Sequence, residues 1–234
     1  MKYFKAISSP HKYNQREPSF GKVISLICII WSLFQLWIAS DFPFYLSALT
    51  KLNLVFNGQE ARQIHLAFGL GLCLLAYPVI NKINPYVDKL NQFILAFLAV
   101  SACLYLYIFK LDISNRAGLP TNFDVFFSIT GILCIGIAVY RSLGLPLLVV
   151  ASLFIFYVMF GHLDFIPETM KWKGASLNKA SWHFWMQTEG VFGVALGVST
   201  SMIFLFVLFG ALLEKSGAGN YFIKLSFAAL GHLR

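Results

Sequence analysis

Charge is what this sequence most clearly has too little of. Asp, Glu, Lys and Arg make up 12% of its 234 residues, whereas 58% are hydrophobic and the mean hydropathy is +0.71. Soluble domains carry about 25% charged residues, and so little polar surface does not cover a water-soluble globule of this size. The same composition excludes intrinsic disorder. We therefore predict an integral protein of the lipid bilayer. We attribute the net charge of +8 to Lys and Arg residues in the loops, and we predict no nucleic acid as partner.

Several motifs that carry chemistry are absent as well. The sequence has no G-x-x-x-x-G-K-[ST] loop, which argues against an ATPase, and no H-E-x-x-H motif or His/Cys cluster with metal-ligand spacing. The cysteines, Cys28, Cys73, Cys103 and Cys134, lie in four separate apolar runs without a C-x-x-C pair. We expect them to be small buried residues at helix contacts. The sequence thus predicts no enzyme, no catalytic residue, no metal and no bound cofactor.

Six uninterrupted apolar runs follow a polar N-terminal segment, and none of the six contains Asp, Glu, Lys or Arg. Only helices and closed barrels satisfy the backbone in lipid, and these runs lack the alternation of barrel strands. The predicted fold class is all-α integral membrane, with six transmembrane helices and a C-terminal amphipathic segment at residues 221–230. The six runs are Val23–Ala39, Ile64–Ile80, Phe93–Phe109, Val125–Tyr140, Leu145–Phe160 and Val191–Leu213.

The loops between these runs carry unequal shares of positive charge. With the N-terminus in the cytoplasm, the inside segments contain eleven Lys and Arg residues, five of them within residues 1–22, and the outside loops contain seven. An excess of positive charge on the cytoplasmic side is the usual pattern in membrane proteins. We therefore predict a cytoplasmic N-terminus, with loops 41–61, 110–124 and 162–189 outside.

A tight helical hairpin is predicted where the fourth and fifth runs nearly touch. As one helix they would be about 54 Å long, too long for a bilayer core of about 30 Å. Gly144 permits a turn, and Pro146 suits the first turn of a new helix. In the longest outside loop, residues 177–187 form either a short interfacial helix or, as we favour, a plain aromatic anchor at headgroup depth built on Trp182 and Trp185.

One face of the sixth predicted helix is lined by small residues. Gly193, Gly197 and Ser201 recur every four residues, and Gly190 lies one turn earlier. Small residues at this spacing let two membrane helices approach closely. We predict that these four residues form a helix-packing seam.

Hydroxyl side chains also cluster in this helix. Ser199 and Thr200 form either a polar point near the membrane midplane or, as we favour, hydroxyls bonded back to carbonyls of their own helix. Gly197-Val-Ser199 together with His65 suggests an intramembrane serine protease. However, Ser201 stands where G-x-S-x-G needs its last glycine, and His65 lies near the edge of its run. We therefore do not favour the protease.

The second half of the sequence is similar to a known family. It resembles the fused membrane subunit of tripartite ATP-independent periplasmic (TRAP) transporters, in the branch served by TAXI-type binding proteins, from about residue 140 to residue 234. Residues 1–140 resemble the family's four-helix small subunit in pattern only. The segments that carry the resemblance are Arg141–Pro146, Thr188–Gly193, Leu196–Ser199, Phe204–Gly219 and Gly231–Arg234.

This resemblance implies a membrane permease for secondary transport of organic acids, C4-dicarboxylate-like or related carboxylates, across the bacterial inner membrane. It implies a sodium gradient as the driving force, Na⁺ as the coupling ion and a TAXI-type periplasmic substrate-binding protein as the partner. It also implies an elevator mechanism, in which a transport domain moves against a scaffold. The resemblance implies that the small subunit and the first helices of the large subunit belong to the scaffold. The absence of charge from the apolar runs agrees with this, although a polar path built from hydroxyls and backbone would also be free of charge. We assign no substrate-binding residue.

The resemblance also implies a domain organisation. Residues 1–143 would be the small-subunit-like bundle and residues 144–234 the start of the large subunit, which we expect to continue past Arg234. The alternative is a stand-alone six-helix scaffold or assembly protein without transport of its own.

Overall fold

Helices account for all the regular structure in the computed structural model, which describes residues 20–77, 85–164 and 166–230. Between Phe160 and Leu177, a 3₁₀ turn at Glu168–Met170 is the only regular element among the residues that the structure describes. The helices are α1 (Gly21–Ala39), α2 (Phe42–Thr50), α3 (Gly58–Ala76), α4 (Pro85–Ile108), α5 (Lys110–Asn115), α6 (Asn122–Ser142), α7 (Leu145–Phe160), α8 (Leu177–Ser181, prolonged by a π-helical turn at Trp182–Met186), α9 (Val194–Lys215, with a π-helical turn at Ser199–Ile203) and α10 (Ala218–Leu230).

Four of these helices, α1, α4, α6 and α9, are long and apolar enough to cross a membrane. The predicted second and fifth spans also form helices, α3 and α7. However, α7 has 16 residues, about 24 Å of helix, and the first turns of α3 carry polar side chains. The predicted count of six spans therefore stays a prediction, as does the orientation. Pro78–Ile80 of the second run, Gly231–Arg234 and most of residues 1–22 lie outside the described residues.

The helix ends follow from local sequence signals. Asn57 and Glu60 form a reciprocal capping box at the start of α3, and Thr121 and Asp124 form another at the start of α6. Between α6 and α7 the chain turns at Gly144, whose φ of +91° is readily available only to glycine. The predicted tight hairpin is thus confirmed.

The core lies where α4 packs between α3 and α6. One face of α4 is lined by Ala96, Ala99, Ala102 and Cys103, none more than 6% exposed. Small side chains at this spacing let the neighbouring helices approach closely. On α3, a Cβ added at Gly71 would lie 3.1 Å from Val100 Cγ2, which shows how near the two backbones come. A close helix contact therefore involves α4, a seam that the sequence analysis did not predict.

The cysteines divide between this core and the periphery. Cys103 and Cys134 are buried, and the Cys134 thiol lies 3.9 Å from the Leu95 carbonyl oxygen. Cys73 is partly buried, as expected for a helix contact. Cys28 is exposed on α1, so the prediction of a buried thiol is wrong there. The helix α1 contacts its neighbours along one narrow side, which leaves most of its apolar side chains for lipid.

Ion pairs join three helix ends at one end of the bundle. The start of α3 meets the start of α5 through Glu60 and Lys110, which form a salt bridge. The start of α6 meets the preceding loop through Asp124, which accepts two hydrogen bonds from Arg116 at 2.9 and 3.1 Å. These contacts bring together loop segments that the charge pattern placed on the same side of the membrane.

The long loop after α7 enters the core. Trp185 is completely buried, and its indole N–H lies 3.4 Å from the Ala102 carbonyl oxygen. Its six-membered ring lies so close to α6 that a Cβ added at Gly131 would be 2.2 Å away. The expectation of an aromatic anchor at headgroup depth is therefore wrong for Trp185. A surface anchor and a core residue carry the same aromatic signal, and only the packing partner distinguishes them.

Candidate functional site

A polar cluster joins three helices in the apolar interior. We define it as Trp31 and Gln35 of α1, His65 of α3 and Ser199 of α9. In α1 the single buried residue is Gln35, which is 2% exposed although most apolar side chains of the same helix are exposed. An amide in an apolar environment needs hydrogen-bond partners. The need of Gln35 for hydrogen-bond partners therefore determines which side of α1 faces the bundle.

His65 is the centre of the polar cluster and is 6% exposed. Its Nδ1 accepts a hydrogen bond from the Trp31 indole N–H at 3.3 Å and also contacts the Gln35 amide. Because an indole nitrogen can only donate, Nδ1 carries no proton and the imidazole proton lies on Nε2. Nε2 then donates to Ser199 Oγ at 3.2 Å. The arrangement fixes one neutral tautomer of His65.

Aromatic rings close the polar cluster against lipid. The Trp31 ring lies 5.1 Å from the imidazole and 5.4 Å from the ring of Phe204. Phe68 also stacks on Trp31, at 6.3 Å between ring centroids. Since the effective dielectric constant is low in such surroundings, the hydrogen bonds of the cluster are stronger than they would be in water.

The helix α9 departs from α-helical geometry at the polar cluster. A π-helical turn covers Ser199–Ile203, and the Phe204 N–H bonds to the Ser199 carbonyl oxygen, five residues earlier. Such turns are rare and often occur at functional sites. The widened turn lies where Ser199 meets His65.

A charged side chain joins α3 to the start of α9. Arg62 Nη1 donates to the Phe192 carbonyl oxygen at 3.0 Å. The guanidinium lies against the bare backbone of Gly197, where an added Cβ would be 2.7 Å from Arg62 Nη2. Glycine at this position therefore makes room for Arg62, which in turn satisfies a carbonyl ahead of the first helical turn.

The residues predicted as a packing seam are in different environments. Gly190 and Gly193 precede α9, in turns where an added Cβ would approach backbone carbonyl oxygens at 2.2 and 2.8 Å. Gly197 contacts Arg62, and Ser201 is exposed, with its hydroxyl bonded to the Gly197 carbonyl at 2.9 Å. Gly197 is thus the member of this set that brings two helices together. The predicted role of the whole set in assembly stays a prediction.

Of the two predicted midplane candidates, one joins the polar cluster. Thr200 is buried, and its hydroxyl bonds back to the Leu196 carbonyl at 2.7 Å, as the favoured interpretation expected. Ser199 instead accepts a hydrogen bond from His65. The sequence analysis placed His65 near the edge of its helix, where this contact would not form. In the structure α3 begins six residues before the apolar run, so His65 lies inside the helix.

The proximity of His65 to Ser199 does not make a nucleophile. A general base must accept the serine proton, whereas here Nε2 carries the proton and donates it. No carboxylate orients the imidazole; Nδ1 faces an indole and an amide. Among the described residues, no group of three His, Cys, Asp or Glu side chains is placed to hold a metal ion. The cluster therefore joins helices through neutral hydrogen bonds.

The sequence analysis missed Trp31, Gln35 and Arg62. One signal was available for the first two: Gln35 is an isolated polar residue in an apolar run, with Trp31 one turn earlier on the same face. A polar residue inside a span indicates a face that turns away from lipid. Arg62 gave no comparable signal, because its partner is a backbone carbonyl.

Replacing Gly197 with leucine is expected to displace Arg62 and break its bond to the Phe192 carbonyl. Overpacking costs about 1–3 kcal/mol, to which the unpaired carbonyl adds. We expect a lower melting temperature in detergent. Leu205→Ala, in the same helix, should be milder because Leu205 is only partly buried. Equal losses from the two changes would contradict a close contact at Gly197.

Part of the chain is similar to a known protein family. Residues 130–234 match the family model of the tripartite ATP-independent periplasmic transporter, DctM component. The matched region begins inside α6 and includes the hairpin, the buried loop and the whole of α9. No curated protein and no solved structure matches the chain. Over these residues, a little under half of its length, this multi-pass membrane protein is similar to the large permease component of TRAP transporters, a transporter family and not an enzyme family.

Proposed function

We propose that the chain is a membrane permease component of a secondary transporter that takes up organic acids with a binding protein and a sodium gradient. The observation that carries this proposal is the DctM match over residues 130–234. The π-helical turn and the polar cluster lie inside the matched region or contact it. The inner membrane is the location that this family implies.

Within such a transporter we propose a mainly scaffolding role for this chain. The helices α3, α4 and α6 pack through small residues, and at one end of the bundle ion pairs connect α3 to α5 and α6 to the loop before it. A dense bundle of this kind resists the rearrangement that a moving domain requires. Substrate, Na⁺ and a TAXI-type periplasmic binding protein are the ligands and partner that we propose for the assembled transporter.

We further propose the division into residues 1–143 and 144–234. The first part contains the bundle of α1, α3, α4 and α6, and the second contains α7, α9 and α10. The DctM match begins at residue 130, so the similarity to the large component extends back into α6. The polar cluster, Arg62 and the buried Trp185 all contribute contacts between the two parts.

Uptake in cells tests the proposed function. Deleting the encoding gene should abolish sodium-dependent uptake of radiolabelled C4-dicarboxylates, and restoring the gene should recover it. Ser199→Ala should reduce the recovered uptake, whereas Ser201→Ala, on the exposed side of the same turn, should not. Sodium-driven uptake that persists in the deletion strain would contradict a transport role and favour the stand-alone scaffold.

The proposed orientation predicts which residues face outside. Asn53 and Lys173 are exposed, lie in the predicted outside loops and cap no helix. As single cysteines in a variant without the native ones, both should react with an impermeant maleimide in intact cells. Asn220→Cys should react only after lysis. The reverse pattern would place the N-terminus outside.

A further inference from the structure

A polar cavity lies at the end of the bundle that carries the ion pairs. It has a volume of about 220 Å³, enough for several waters, each of which takes about 30 Å³ in the liquid. Its walls come from the first turns of α3, from α5 and from the π-helical turn at Trp182–Met186. The cavity is separate from the polar cluster, which lies on another side of α3.

Gln63 lines this cavity and lacks a hydrogen-bond partner for its side-chain oxygen. The residue is 4% exposed, and Oε1 is buried without a partner among the described residues. A buried polar atom left unpaired costs about 1–3 kcal/mol. An unpaired acceptor facing a cavity indicates that a donor belongs there.

Two opposite charges complete the cavity. Glu60 Oε2 accepts from the Asn57 N–H and Oε1 from Lys110, whose side chain is 49% exposed. Burial alone would raise the pKa of Glu60, but the hydrogen bonds from Lys110 and the Asn57 backbone lower it below its ordinary value. The site thus offers a carboxylate inside, an ammonium at the opening and no net charge, which complements a zwitterion.

Apolar side chains flank the opening. Beside Lys110, Ile108 is 67% exposed, Phe109 43% and Leu111 72%. In a membrane protein such side chains contact acyl chains, whereas a lysine between them reaches towards the phosphate level. The opening therefore borders the lipid, which favours a molecule that carries its own acyl chains over a dissolved one.

We propose that this cavity binds the headgroup of an ethanolamine phospholipid. The primary ammonium of the headgroup donates to Gln63 Oε1 and to the Glu60 carboxylate, and the phosphate oxygens accept from Lys110. A choline headgroup has no N–H to donate, and a glycerol headgroup has no positive charge to pair with Glu60. The site therefore selects ethanolamine lipid over choline and glycerol lipids.

Lipid binding to the purified full chain tests the proposal. Native mass spectrometry should show binding of phosphatidylethanolamine roughly tenfold tighter than that of phosphatidylcholine or phosphatidylglycerol, as expected for hydrogen bonds to a charged group. Gln63→Leu should remove this preference. Gln92→Leu is the matched control, because Gln92 is also buried with an unpaired Oε1 but does not line the cavity.

Thermal stability separates lost binding from lost folding. Without ethanolamine lipid, Gln63→Leu should be at least as stable as the parent, because it removes an unpaired polar atom. With the lipid, the parent should gain stability and Gln63→Leu should not. Equal binding of the three lipids, an unchanged preference in Gln63→Leu, or equal stabilisation by free phosphoethanolamine would each overturn the proposal.

Discussion

Replacing Asp124 with alanine is expected to destabilise the protein by about 3 kcal/mol, the lower end of the range for breaking a buried ion pair. Asp124 is completely buried and accepts hydrogen bonds from Arg116, from the Tyr105 hydroxyl at 2.7 Å and from the Thr121 N–H at 2.8 Å. The substitution leaves all three donors without this acceptor and removes half of the capping box of α6. The lower end applies because Arg116 is 30% exposed and regains water.

Thermal unfolding in detergent measures this effect. For a chain of this size, a loss of 3 kcal/mol lowers the melting temperature by about 6–12 °C. Asp124→Asn keeps an acceptor for Tyr105 and should lose less. Asp112→Ala, an exposed carboxylate in α5, should shift the melting temperature by no more than about 2 °C. A drop for Asp112→Ala as large as that for Asp124→Ala would show that the loss reflects charge in general.

Replacing Gly131 with alanine is expected to cost about 3 kcal/mol. The added Cβ would lie 2.2 Å from the ring of Trp185, which is fully buried and has no room to move aside. Gly69→Ala is the control, because an added Cβ at Gly69 meets nothing within 4 Å. Alanine there should be neutral or stabilising by up to about 1 kcal/mol, given its helix propensity.

A second substitution tests whether Trp185 causes the loss. Trp185→Phe shortens the side chain and should make room for the Cβ at residue 131. The double variant should then be more stable than the two single losses predict when added. Strict additivity of the losses would mean that the damage at Gly131 does not come from contact with Trp185.

The helices that the sequence predicts well are those whose signals are local. The hairpin needed only Gly144 and Pro146, and the apolar runs needed only their composition. The expected helical class follows from the same runs, because lipid leaves the backbone few alternatives. Every one of the six predicted runs contributes to a helix in the structure, although four helices meet the length and hydropathy expected of a span.

The candidate site was less predictable because its residues are distant in sequence. His65 and Ser199 are 134 positions apart, and their contact depends on where α3 begins and how α9 widens. Apolar periodicity contains no information on either. The same limit explains Trp185, whose burial depends on Gly131 more than fifty residues earlier. Small residues such as Gly131 matter in this fold because they leave room for a side chain from elsewhere in the chain. A single sequence does not show which side chain that is.

The placement of α3 has a consequence for how the protein enters the membrane during synthesis. This helix is the most buried of the bundle, yet its first turns carry Glu60, Arg62 and Gln63. Charged residues make a lone segment insert poorly from the translocon. The partners of the two charges, Lys110 and the Phe192 carbonyl, emerge from the ribosome only later. If α3 forms the predicted second span, we expect it to insert cooperatively, with α4 entering lipid beside it and α9 completing its hydrogen bonds last.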